Sequence, residues 1–183
     1  MRANQAPNAE VSDRRSNGPV WQPLCEGTYK INTDATMFVR GGRVGVGIII
    51  HDYVGTVMAS SAQAVQFGFS ILIAEALAIK KGLLLARDMW LFPCFIESDV
   101  QVVVNLINIP DIPCSEVGLI IKDIKILLEE FSNCNIVFAP RYSNKAAHEL
   151  ARIGLSADEG LFWLEECPPS LRHVVLGDCP KPL

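Results

Sequence analysis

The chain has 183 residues, 50% of them hydrophobic and 20% charged, with 16 Lys and Arg against 20 Asp and Glu, for a net charge of -4. That length supports one domain with a full core. The acidic balance argues against a strongly basic, nonspecific nucleic-acid binder, while leaving room for an enzyme that gathers acidic groups in its site. Residues 1–26 are polar, without period, and read as a disordered lead-in or linker, except for Trp21, which is expected to pack on the flank of the domain.

From Tyr29 the pattern changes. YKINTDATMFV alternates apolar and polar residues as a half-buried strand does, with Ile31 and Thr33 on one face and Lys30, Asn32 and Asp34 on the other. Arg40-Gly41-Gly42-Arg43 is a turn signal, and VGVGIIIHDY and TVMASSAQAV follow as two further strands of an antiparallel meander. Ser70 to Met89 has helical period with Ser70 as N-cap, and Ala74, Ala78 and Gly82 make a flat stripe that can lie against a sheet. Pro93 to Asp99 is a short apolar strand between helices, hence a parallel central strand. VQVVVNLIN starts a helix that Pro110 and Pro113 break, and Ser115 to Phe131 is another. NIVFAP is read as the final strand, and Ser143 as the cap of a helix running to about Leu155. The expected fold is α/β: three antiparallel strands, then alternating helices and strands, in a five-stranded mixed sheet spanning residues 27–158. Residues 159–183 read as a short amphipathic appendage carrying Phe162, Trp163 and Leu164.

The six cysteines lack C-x-x-C spacing, and Cys94 and Cys134 read as buried free thiols. The first residues lack the apolar run of a secretory signal, and no apolar run reaches the roughly 20 residues of a membrane span. The expectation is an intracellular, reducing compartment (nucleus, cytosol or organelle), no membrane contact, and a monomer.

Three acids stand out: Asp34 and Asp99 at the ends of strand-like runs, and Glu75 among small and apolar residues of a helix. Singly, each has an ordinary role: a turn residue for Asp34, a helix N-cap for Asp99, a solvated helix position for Glu75. Together they point elsewhere. The strands of Asp34 and Asp99 would be neighbours, with the Glu75 helix crossing over them, so three carboxylates would meet. A carboxylate buried without a partner is costly, and an oxygen-rich pocket suits a hard divalent cation. Phosphodiester hydrolysis uses two such ions ~3.5–4 Å apart, one activating water and one stabilising the leaving oxygen.

YKINTDA, AEALAIKKGL, ESD and RYSNKAAHELAR, in that order, resemble the four motifs of type 1 ribonuclease H. They are most similar to the plant ribonuclease H-like domains related to retroelement reverse transcriptases, as are Trp21-Gln-Pro and FWLEECPP. The resemblance implies a Mg2+- or Mn2+-dependent endonuclease that hydrolyses the RNA of RNA–DNA hybrids, reading 2′-hydroxyls. It implies that Asp34 bridges both metals and that Glu75 and Asp99 hold one each. His148 falls where the enzymes often have a fourth Asp and the plant relatives often have His. It completes the candidate set of catalytic and metal residues, although a neutral imidazole suits Mg2+ less well than a carboxylate. Asn144, one turn before His148, matches the family's Asn near the substrate; Asn32 and Lys145 are further candidate substrate contacts. Ala35 stands where the family usually has Gly, and the basic protrusion of some members is missing. That leaves Arg40, Arg43, Lys80, Lys81, Arg141 and Lys145 as candidate phosphate contacts, at least half of them ordinary solvated charge. The competing expectations are a catalytically weak, domesticated module binding nucleic acid or protein, and a fragment of a retroelement polyprotein.

Overall fold

The computed structural model describes residues 24–38, 42–66, 70–131 and 133–178. Trp21, Arg40 and Cys179 lie outside them. Strands β1 (Tyr29–Phe38), β2 (Arg43–His51) and β3 (Val57–Gln66) form the expected antiparallel meander. The β2–β3 turn is closed by Asp52, whose carboxylate accepts from the amides of Val54 (3.0 Å) and Thr56 (2.8 Å), with Gly55 at φ +90°. Helix α1 (Ile71–Asp88) leads to β4 (Cys94–Ser98), which pairs in parallel with β1. Helices α2 (Gln101–Asn108) and α3 (Glu116–Glu130) precede β5 (Cys134–Phe138), parallel to β4. A 3-10 turn (Arg141–Ser143) enters α4 (Lys145–Ser156), and the chain closes with β6 (Leu161–Leu164), a second 3-10 turn (Pro169–Leu171) and α5 (Arg172–Asp178).

The sheet order is β5-β4-β1-β2-β3-β6. It has six strands where the periodicity indicated five. The additional one comes from the expected appendage: Leu161–Leu164 pairs antiparallel with Ala59–Ala62 on the otherwise open edge of β3. Pairing there satisfies backbone groups that an edge strand would expose. The segment does not look like a strand in sequence because Leu161, Phe162 and Leu164 stay exposed after pairing. The N-cap of α4 is likewise Asn144, one residue later than expected, because Ser143 belongs to the 3-10 turn.

Two cores flank the sheet. On one side Val44, Val46, Ile48 and Ile50 of β2 pack with Ile79 and Leu83 of α1 and Ile121 and Ile124 of α3. On the other, Ile49 and Ala62 pack with Ala147 and Leu150 of α4 and with Cys167, Leu171 and Val175 of the C-terminal segment. Apolar residues on both faces of β2 fit a central strand. Gly45 and Gly47 let α4 lie directly on β2: a Cβ at either would overlap the carbonyl oxygen of Ala151 or Ala147. Cys94 and Cys134 oppose each other across the β4–β5 register, their sulfurs 2.9 Å apart in a thiol hydrogen bond. No helix among the described residues is long and apolar enough to cross a membrane.

Candidate active site

The parallel ladder between β1 and β4 ends at Asn32 and Glu97. β4 stops one residue later, but β1 continues to Phe38 against β2 alone. Asp34 therefore stands mid-strand rather than at a strand end, just beyond the carboxyl end of its shorter neighbour. Asp99 is the first residue after β4. It does not cap α2, whose N-cap is Val100, with the Val100 amide donating to Ser98 Oγ at 3.3 Å. Glu75 sits in the second turn of α1, buried, and accepts from the backbone N–H of Ala35, the residue after Asp34. Strand-end offset and helix start thus converge: Asp34, Glu75 and Asp99 each offer a carboxylate oxygen within 4.8 Å of the others.

The electrostatics of this cluster are costly. Asp34 and Glu75 are each only 3% exposed. Burial, together with the neighbouring charges of Asp34 and Asp99, pushes the Glu75 carboxyl up to about 9, and Arg141 offsets little of that. Burial also raises Asp34, against the stabilising hydrogen bonds from His148 and Thr36. Glu75 Oε2 and Asp99 Oδ1 are buried without a hydrogen-bond partner. Unpartnered carboxylate oxygens aimed at one point are what a hard divalent ion would satisfy, and the donor set is all oxygen. The residues present therefore fit such an ion.

His148, on the first turn and a half of α4, does come to the cluster. Its Nδ1 lies 3.0 Å from Asp34 Oδ2 and 3.5 Å from Thr36 Oγ1, which itself donates to Asp34 Oδ2 at 3.3 Å. Thr36 was not singled out in sequence, although it shares a strand face with Asp34 by the period of two. Asn144 is buried, and its amide donates to the Thr33 carbonyl at 2.8 Å while its Oδ1 has no partner. The His148 amide in turn donates to the Asn144 carbonyl at 3.0 Å. Asn32 is drawn inside the fold: its amide donates to Glu97 Oε2 at 2.9 Å and to the Ser143 carbonyl at 3.4 Å. Asn32 and Asn144 together bolt the turn before α4 onto β1, which sets the distance from His148 to Asp34.

The candidate phosphate contacts divide. Lys80 is paired with Asp123 at 2.6 Å, Lys81 donates to Gln63 at 2.8 Å, and Arg43 donates to the Ala157 carbonyl at 2.7 Å. Arg141 and Lys145 are exposed beside the cluster and make no ion pair with a described residue.

Residues 32–154 match the family model described as reverse transcriptase-like. The chain belongs to that family. Its ribonuclease H-like fold is shared by solved structures. RNase H1 of Halobacterium salinarum NRC-1 superposes with TM-score 0.65 at 20% identity, over 70% of this chain and 98% of that one. The N-terminal RNase H domain of a Mycobacterium tuberculosis protein gives TM-score 0.62 at 22% identity, over 70% and 94%. LC11-RNase H1, from compost and solved in complex with an RNA/DNA hybrid, gives TM-score 0.64 at 19% identity, over 70% and 97%. No curated protein sequence matches significantly. The family match ends at residue 154, so β6 and α5 lie outside it.

Proposed function

We propose that this reverse transcriptase-like domain is a divalent-metal-dependent ribonuclease H that cleaves RNA in RNA–DNA hybrids. The observation that carries the reading is the convergence of Asp34, Glu75 and Asp99 within 4.8 Å, with two of their oxygens buried and unpartnered, just beyond the carboxyl end of β4 in a ribonuclease H-like sheet. The neighbour solved with an RNA/DNA hybrid supports the choice of substrate.

In this reading Asp34, Glu75 and Asp99 would together hold Mg2+ or Mn2+, with Asp34 as the central acid. The bound ions supply an activated water and charge stabilisation at the leaving oxygen. The chain's own residues do the rest. Thr36 and His148 fix the Asp34 carboxylate from one side. The Ala35 amide fixes Glu75, and the buried Asn144 holds the turn before α4 on β1 through the Thr33 carbonyl. Arg141 and Lys145 are left to meet the phosphate backbone. Kinship with the plant retroelement branch rests on the four ordered motifs together with Trp21-Gln-Pro and FWLEECPP, the first residues of the last forming part of β6.

A second reading, a catalytically weak module that binds hybrids, is favoured by the His148–Asp34 hydrogen bond, which ties up one oxygen of the central acid. Incubating labelled hybrid with Mg2+ or Mn2+, beside Asp34→Asn, separates them. Cleavage lost in the variant by at least about a hundredfold supports the enzyme. Hybrid binding with no cleavage in either metal sinks it in favour of the module.

A further inference from the structure

A cleft of 590 Å3 lies between α4 and the C-terminal segment. One wall, with Arg141, Tyr142, Lys145 and His148, belongs to the family-matched region. The other, with Leu171, His173 and Val174, follows residue 154 and so lies outside the family match. That wall is held in place. Leu171 and Val175 are buried against the α4 side of the sheet, and Ser60 Oγ donates to the Glu166 carbonyl at 2.9 Å.

The lining has two characters. Ile153, Leu171 and Val174 give it an apolar floor, with the Tyr142 ring, 46% exposed, beside them. Its ionisable groups are cationic in balance although the chain is acidic. Arg141 and Lys145 have no ion-pair partner among the described residues, and Glu149, the one acid in the lining, is held by Arg152 at 3.0 Å. An aromatic ring and apolar wall beside free cations suit a base and its phosphate. The volume is that of a small-ligand pocket, enough for one nucleotide and not for two paired strands. The cleft and the acidic cluster share one side chain, His148. It lines the cleft and bonds Asp34, and the charge of Arg141 reaches Glu75.

We propose that this cleft holds an unpaired nucleotide of the strand whose phosphodiester lies at Asp34, Glu75 and Asp99. It makes the protein select hybrids that carry a single-stranded overhang over blunt ones. The inference rests on the hybrid-cleaving function proposed above and narrows its substrate.

The test is fluorescence anisotropy of the full chain in EDTA, where nothing is cut. A labelled blunt RNA–DNA hybrid is compared with the same hybrid bearing a short RNA overhang at the 5′ or the 3′ end. The overhang at one end is expected to tighten binding about tenfold, within the range that stacking one base on an aromatic ring provides. Tyr142→Ala and Val174→Glu, which remove the ring and put a carboxylate on the floor, should erase that gain and leave blunt-hybrid affinity unchanged. If Val174→Glu does not fold, Tyr142→Ala and His173→Ala, at exposed positions, decide the matter. Equal affinity for blunt and overhang hybrids, or a gain that survives the variants, overturns the proposal. A blunt hybrid that is bound and, with metal, cut, but gains nothing from an overhang, refutes the cleft alone. A protein that neither binds nor cuts any hybrid refutes the proposed function with it.

Discussion

Replacing Glu75 with Gln should stabilise the metal-free protein, and increasingly so as pH rises. The Glu75 carboxyl titrates near 4.5 in an unfolded chain and at about 9 in the fold, so between those values the native state binds one more proton than the unfolded state. Stability then falls with rising pH at ~1.4 kcal/mol per pH unit. At pH 7 the buried acid costs the fold about 3 kcal/mol, from 2.5 pH units above its unfolded value. Gln keeps the shape and cannot ionise. The measurement is urea unfolding of both proteins in EDTA from pH 5 to pH 8. The difference in unfolding free energy should grow by about 4 kcal/mol over that range, and at pH 7 the melting temperature should rise by ~6–12 °C. Titrations remote from the acid cluster cancel in the difference. Mg2+ should raise the stability of the wild type with release of a proton, and do less for the variant. Curves that stay parallel from pH 5 to pH 8 would show that Glu75 is ionised in the native state, and the account of a strained acid cluster awaiting a cation would be wrong.

Three other outcomes follow from the same geometry. His148→Asp places a fourth carboxylate beside Asp34; metal-free stability should drop by ~1–3 kcal/mol while Mg2+ affinity, read by calorimetry, increases. His51, buried with its Nδ1 3.3 Å from the Gly55 carbonyl, is pushed down by burial from 6.5 to about 4. Here the unfolded state binds the extra proton, so this contribution is complete above pH 6.5 and is lost towards pH 4. It amounts to about 3 kcal/mol, and His51→Gln should remove that acid sensitivity in denaturant titrations. Gly47→Ala should cost ~1–3 kcal/mol in unfolding free energy, because its methyl meets the Ala147 carbonyl and α4 must lift from β2.

Most of the site is legible in the residues themselves. Alternation in YKINTDATMFV puts Asp34 and Asn32 on one face, and the strand–helix order makes β4 a parallel neighbour of β1, so the meeting of Asp34 and Asp99 follows from local patterns. Glu75 is marked by its apolar surroundings on α1. What escapes is whatever long-range packing decides. Nothing local says that β4 ends before β1 does, which moves Asp34 from strand end to mid-strand. Nothing local shows that Asn32 will spend its amide on Glu97 rather than on a ligand, or that Thr36 will reach both Asp34 and His148. LFWL is too short and too exposed to announce a sixth strand, and the cleft wall at Leu171 and Val174 exists only because Leu171 and Val175 reach a core more than a hundred residues earlier, at Ile49.

The unequal lengths of β1 and β4 make the centre a matter of phase as well as of residue identity. Successive side chains on a strand alternate between the two layers, so dropping a single residue between Tyr29 and Thr33 would turn the Asp34 carboxylate toward α1 or break the ladder from Tyr29↔Cys94 to Asn32↔Glu97. Every acid would still be present in the chain, and the pocket would not exist. Extra residues in the loop between α2 and α3, residues 109–115, leave that phase untouched. Within this fold, then, length variation should be tolerated loop by loop but forbidden along the short stretch of β1 that counts its way to Asp34.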